Sequence, residues 1–528
     1  MSKSNLTKKI GKLMIVGFPG KSLTPEVKEL IHTYHVGGII LFSRNVGTPE
    51  EVYTLTQSLQ EEAKSAGYER PLFICLDQEN GIVRRLDEGT TLFPGAMALG
   101  ATDNPNLAHD VYYATGEELK ALGINWNLAP ALDVNNNPDN PVIGVRSFGE
   151  SPNKVAEFGR AAMQGMQEAG VIPTIKHFPG HGDTNVDSHL NLPTIAHALD
   201  RLEQVEIKPF KACIDTGADV VMAAHIHFPA IEPEKNKPAT LSKNVLTHLL
   251  REKLGFTGVV TTDCMEMDAI ANTIGTEQGV VEAFKAGSDF LMVSHTRERQ
   301  IGAMKAMKAA VEQGDISEES INQSVQRISK LLNRYVSWES VLGKDKDTEL
   351  RKVGSSKHQE LARKVYEQSV TVVRNNNVLP IQTDEETKIL VIEPAGLLQT
   401  RAEDARQNKG LGEAVKECAS SPEIEVIDQH ISASDLDRLI NKASHYDYVI
   451  LGTSGITSEN PHRELVSAIQ AKDVTVLGIG MRNPYDVSHL QGVDAFLNTY
   501  EPSYPALQTA IHAIFGKVKV NGKLPVTI

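Results

Sequence analysis

Short apolar runs recur at strand length along the first part of the chain. They are Leu13–Phe18, Gly38–Phe42, Leu72–Leu76, Ile124–Leu128, Ile172–Ile175, Val220–Ala223, Val259–Thr262 and Phe290–Val293. Most are separated by stretches apolar at helical spacing, such as Pro49–Ala66 and Ala108–Leu122. Alternating strands and helices predict parallel strands with helices packed outside them. Eight such units predict an α/β fold, a (β/α)8 TIM-like barrel with insertions. An open doubly wound sheet is the rival, weakened because no dinucleotide-binding glycine pattern follows the first run. Helices are predicted over Arg297–Gln313 and Ser317–Val336. Ser337–Gly354 is polar and charged and reads as a linker, followed by a helix over Ser356–Gln368. A second pattern then begins, with strands predicted at Thr371–Arg374, Ile389–Glu393, Ile424–Ile427, Tyr448–Leu451, Thr475–Ile479 and Ala495–Leu497. Helical patterns lie between them, at Asp435–Lys442 and Pro461–Gln470. The expected organisation is a barrel over 1–336, a linker over 337–354 and a smaller α/β sandwich domain over 355–528.

Polar residues fall just after the barrel strands. Asp77 follows the third run, Asp133 and Arg146 the fourth, Lys176 and His177 the fifth, His225 the sixth and Asp263 the seventh. A barrel gathers such strand ends on one face, where active sites of that fold lie.

Composition narrows the function classes. Hydrophobic residues make up 41% and charged residues 23%, ordinary for a soluble protein of two or three domains. A formal net charge of -14 disfavours nucleic acid and anionic membrane surfaces as partners. Cys75, Cys213, Cys264 and Cys418 form no close pairs, so neither a disulfide framework nor a zinc ribbon is predicted. Free thiols suit a reducing compartment. No convincing signal peptide and no membrane span is read, so the expected location is cytoplasmic.

The richest stretch is Lys176-His177-Phe178-Pro179-Gly180-His181-Gly182-Asp183-Thr184-Asn185-Val186-Asp187-Ser188-His189. Asp187 and His189 are two apart, so an extended loop would point both side chains the same way. A carboxylate beside an imidazole fixes its tautomer and favours its charged form, as a general acid/base needs. His177 and His181 have the i, i+4 spacing of a zinc pair, but Pro179 and Gly180 between them oppose the required helix. No metal or other cofactor is expected. Asp263 ends a strand before an apolar stretch; it reads equally as a nucleophile or metal ligand and as a helix N-cap. Asp77 lies near Glu79, Arg84 and Arg85, which suits either a grip on sugar hydroxyls or a surface salt-bridge cluster. Arg146 reads as a donor fork for a polar substrate or as a loop anchor.

The fourteen-residue stretch resembles the K-H-[FI]-P-G-x-G-x4-D-[ST]-H signature of glycoside hydrolase family 3 β-N-acetylglucosaminidases, with every fixed position met. The resemblance runs on through Asp77-Gln78-Glu79, Leu128-Ala129-Pro130 with Asp133, Arg146-Ser147-Phe148-Gly149, Met222-Ala223-Ala224-His225 and Asp263, and ends at Gly522-Lys523-Leu524-Pro525-Val526-Thr527. It implies a barrel followed by an α/β sandwich. It carries the nucleophile onto Asp263 and the acid/base onto His189, partnered by Asp187. Sugar-binding positions fall on Asp77, Arg85, Arg146, Lys176 and His177. Asn80 and Ile82 depart from the Glu-Gly-Gly-Arg of many members. The implied reaction is retaining exo-cleavage of terminal β-linked N-acetylglucosamine. The implied partner is a small carbohydrate, either N-acetylglucosaminyl-muramic fragments or chitooligosaccharides. The rival readings are a phosphorylase, a metal-dependent hydrolase and a non-catalytic amino-sugar-binding protein.

Overall fold

The computed structural model describes residues 3–184, 192–404, 409–428 and 431–528. All eight predicted barrel strands form: β1 (Met14–Val16), β2 (Gly38–Ile40), β3 (Phe73–Leu76), β4 (Trp126–Asn127), β5 (Ile172–Phe178), β6 (Val220–Ala223), β7 (Val259–Thr262) and β8 (Leu291–Val293). They pair in parallel from β7 through β1 to β8. A bridge between Thr261 and Phe290 brings β7 to the chain just before β8 and closes the ring. The apolar runs carry no polar alternation because both faces are covered, the interior by facing strands and the outside by helices.

The helices start where local chemistry sets them. Thr48 accepts from the Glu51 N–H while Glu51 accepts from the Thr48 N–H, and Pro49 fills the first turn. Ser151 with Pro152 and Asn104 with Pro105 repeat the cap and the proline, without the reciprocal bond.

The linker expectation omitted two short helices, Trp338–Leu342 and Lys346–Leu350. Ser337 and Asp345 cap them, and Val341 and Val353 are buried in the barrel core. These residues lie along the barrel wall, with the Tyr53 hydroxyl donating to the Lys344 carbonyl.

The second domain carries all six predicted strands: β9 (Thr371–Asn375), β10 (Ile389–Pro394), β11 (Glu423–Ile427), β12 (Tyr448–Thr453), β13 (Thr475–Gly480) and β14 (Ala495–Asn498). Their order is β11-β10-β12-β13-β14-β9, parallel except for β9 at the edge. Separate apolar clusters cover its two faces.

The end of the chain returns to the barrel. Lys523 N–H donates to the Ala101 carbonyl, and Glu150 N–H donates to the Pro525 carbonyl. The Glu150 carboxylate in turn accepts from the Thr527 N–H (2.9 Å) and hydroxyl (2.6 Å). All four cysteines carry free thiols. Among the described residues no helix is long and apolar enough to cross a membrane.

Candidate active site

The strand ends β2, β3, β5, β7 and β8, with the loop after β4, surround one pocket at the barrel mouth. It is lined by Asp77, Arg85, Arg146, Lys176, His177 and Asp263, with His181, Met222 and His295 beside them. Asp187 and His189 lie outside the described residues.

Lys176 and His177 do not follow β5 but belong to it. The strand runs on to Phe178, past a register shift against β6 between Ile175 and Phe178. A polar pair can sit inside a buried strand because its partners are close at hand. Lys176 Nζ lies 2.8 Å from Asp77 Oδ1 and 2.7 Å from Glu79 Oε1. Arg146 grips Glu79 with two bonds, Nε to Oε2 at 2.9 Å and Nη2 to Oε1 at 2.7 Å. Arg85 Nη2 donates to Asp77 Oδ2 at 3.1 Å. These charges form a chain of contacts of alternating sign, Arg146, Glu79, Lys176, Asp77, Arg85, of which all but Glu79 line the pocket. Only 2% of the Lys176 side chain is exposed, so this is not a surface salt-bridge cluster.

Electrostatics keep every member charged. Burial acts to raise the Asp77 carboxyl, but Lys176 and Arg85 overcome it and hold it well below the usual carboxylate range. Glu79 feels the same burial, yet Arg146 and Lys176 bring it down to about 2. Burial acts to lower the Lys176 ammonium; Asp77 and Glu79 outweigh it and raise it.

Behind the pocket, fully buried Asp133 organises the loop after β5. Its Oδ1 accepts the backbone N–H groups of His177 and His181, at 3.2 and 2.8 Å, and its Oδ2 lies 2.8 Å from His177 Nδ1. That bond presents His177 Nε2 on the opposite side of the ring, 3.5 Å from Arg146 Nη2. His181 is held by Thr184 at Nδ1, 2.9 Å away. Burial lowers its pKa to about 4, so it is neutral near pH 7. With these Nδ1 atoms engaged, the two rings stand edge to face, centroids 5.7 Å apart. Among the described residues no three His, Cys, Asp or Glu side chains converge on a metal position.

Asp263 is half-buried at the end of β7. Its Oδ1 accepts the Cys264 N–H at 2.7 Å. The next helix begins only at Asp268, after Met267, so Asp263 is not its N-cap. His225 does not line the pocket. It donates from Nε2 to the Cys264 carbonyl at 3.0 Å and pairs with Thr240 at Nδ1, bracing the peptide that follows Asp263.

Sequence reasoning weighed Glu79 in a sugar-gripping cluster and His181 in a zinc pair but counted neither among the site residues, and it missed the second domain's share. Arg401, Ala402 and Asp404 line the pocket from the loop after β10. Nothing in their local pattern marks them, since the approach depends on how the two domains dock. The departure at Asn80 and Ile82 stays out of the pocket lining: the Asn80 amide donates to Thr115 at 3.1 Å, and neither residue lines the pocket.

Comparison with known proteins agrees with this architecture. The family model described as "Glycosyl hydrolase family 3 N terminal domain" matches residues 5–331, and "Glycosyl hydrolase family 3 C-terminal domain" matches 370–528. A curated relative, "Beta-hexosaminidase A" of Pseudoalteromonas piscicida, is 32% identical over 96% of this chain and 92% of its own. The "Beta-hexosaminidase" of Xylella fastidiosa strain M23 is 35% identical over 54% of this chain and 83% of its own. Among solved structures, a glycoside hydrolase family 3 beta-N-acetylglucosaminidase from Paenibacillus sp. strain FPU-7 superposes with a TM-score of 0.90 at 39% identity, covering 99% of this chain and 98% of that one. A barrel and a sheet domain matched in turn by the two halves of one family, and together by a relative along nearly the whole length, establish that this chain belongs to glycoside hydrolase family 3.

Proposed function

We propose that the protein is a retaining exo-β-N-acetylglucosaminidase. The observation that carries this reading is the pocket itself: a half-buried aspartate, Asp263, shares it with a floor of fixed, alternating charges suited to sugar hydroxyls. The names of the relatives support the amino-sugar.

In this reading Asp77, Arg85, Arg146, Lys176 and His177 hold the terminal sugar. The Asp263 carboxylate attacks the anomeric carbon as the bond to the aglycone oxygen breaks. The His189 imidazolium gives that oxygen its proton. Neutral His189 then takes a proton from water, whose oxygen displaces Asp263 from the anomeric carbon. Two inversions leave the configuration retained. A free histidine titrates near about 6.5, so its proton is available near neutrality. Asp187 orients the ring and favours its charged form. We further read the substrate as imported cell-wall fragments carrying N-acetylglucosaminyl-muramic units, and the location as cytoplasmic, without a cofactor.

A fluorinated N-acetylglucosamine inactivator should label Asp263, located by peptide mass spectrometry. Asp263→Ala should abolish turnover. His189→Ala should still form the intermediate from aryl glycosides with good leaving groups, but release it slowly. An adduct elsewhere, or an inverted product by NMR, sinks the mechanism. Sugar 1-phosphate formed with phosphate present would replace hydrolysis by phosphorolysis.

A further inference from the structure

The line of charges does not stop at the barrel. Arg85 Nη1 donates to Asp404 Oδ2 at 2.6 Å and to the Ala402 carbonyl at 2.9 Å. Both acceptors belong to the second domain, in the loop after β10. The full series is Arg146, Glu79, Lys176, Asp77, Arg85, Asp404, with the last charge supplied across the domain boundary.

Arg85 depends on that end member. Its side chain is 6% exposed, and its Nε has no hydrogen-bond partner among the described residues. Its other carboxylate, Asp77, is shared with Lys176. A buried guanidinium needs its own countercharge, or it moves to find one. Without Asp404 the nearest remedy is for Arg85 to draw Asp77 toward itself, away from Lys176, or to leave the pocket. Either movement displaces Asp77, a sugar-binding position, while Asp263 on the far side of the barrel mouth is untouched.

We infer that the second domain sets sugar affinity through Asp404, a positioning residue that fixes Arg85 and, through it, Asp77. The inference rests on the reading of this pocket as a sugar site. It gives the second domain a part in a site whose reacting groups all come from the barrel.

The test uses the full-length protein and p-nitrophenyl N-acetyl-β-glucosaminide. Asp404→Ala should raise KM by about tenfold and change kcat by less than about threefold, the signature of lost ground-state binding. A merely structural role would lower Tm and leave the KM of the folded enzyme unmoved. Arg85→Gln should raise KM as well, and adding Asp404→Ala to it should raise KM no further, because the second residue acts through the first. An unmoved KM in Asp404→Ala, or effects that multiply in the double variant, overturns the inference alone. Absence of turnover by the wild-type protein overturns the proposed function, and this inference with it.

Discussion

Single residues in this pocket are held by partners chosen for charge. Glu79 is the sharpest case, since it faces both Arg146 and Lys176 and only 4% of its side chain is exposed. Glu79→Gln leaves two buried cations sharing one fewer carboxylate. Removing one partner of a buried pair costs on the order of 3–5 kcal/mol. Urea unfolding of Glu79→Gln should show a loss of that order, with activity reduced alongside. A loss below about 1 kcal/mol would mean that water replaces the carboxylate. At this scale the sequence was informative about identity and silent about pairing. Asp77, Arg146, Lys176, His177 and Asp263 were all readable as polar residues at strand ends. That Arg146 serves Glu79 could not be read, because the two are 67 positions apart and meet only when the strands close.

At the scale of elements, hydrophobic patterning located every strand, because a barrel core enforces unbroken apolar runs. It failed where polar residues enter an element. β5 reaches Phe178 through Lys176 and His177, and the helices Trp338–Leu342 and Lys346–Leu350 sit in a stretch too charged to read as packed. In both cases nearby carboxylates, carbonyls or caps satisfy groups that composition alone assigns to water. The loop after β5 adds a steric rule. A Cβ on Gly182 would meet the Val134 carbonyl oxygen at 1.6 Å, so this loop crosses the loop after β4 with room for a hydrogen only. Backbone cannot step aside as a flexible side chain does. Gly182→Ala should therefore cost about 1–3 kcal/mol or more, read by chemical denaturation. It should also lower activity, since Asp133 of the β4 loop holds the His177 and His181 N–H groups. A neutral Gly182→Ala would show that the crossing relaxes.

The whole molecule is tied together by buried titratable groups, and these set its response to pH. His358, on the helix Ser356–Ser369, reaches Glu118 on the barrel at 2.9 Å and Glu117 at 3.3 Å. Burial acts to lower its pKa, but hydrogen bonds and charge from Glu118 and Glu117 raise it above the ordinary value. A raised histidine stabilises fully below its unfolded pKa of about 6.5, and that contribution is lost as pH climbs through the folded value. Asp486 acts in the same sense. Burial lifts it to about 7, against N–H donors from Gly455 and Ile456, so its contribution fades as pH rises toward that value. Asp77 and Glu79 act oppositely, losing their contribution as pH falls below the unfolded carboxylate range of about 4. Tm should therefore fall between pH 6 and pH 8, and fall less in His358→Gln; equal slopes would clear His358 of that role. None of this was legible in the sequence, where the second domain offered polar residues without a constellation. Its contribution comes from docking, and the returning end of the chain is the plainest instance. Thr527 binds Glu150 across 377 positions, four residues beyond Arg146. A ribosome making this polypeptide holds a complete set of barrel residues long before it has added that last tie. The nascent chain thus leaves the Glu150 segment untied until translation has passed Thr527, and a premature stop in the second domain would yield a barrel whose loop after β4 lacks that tie.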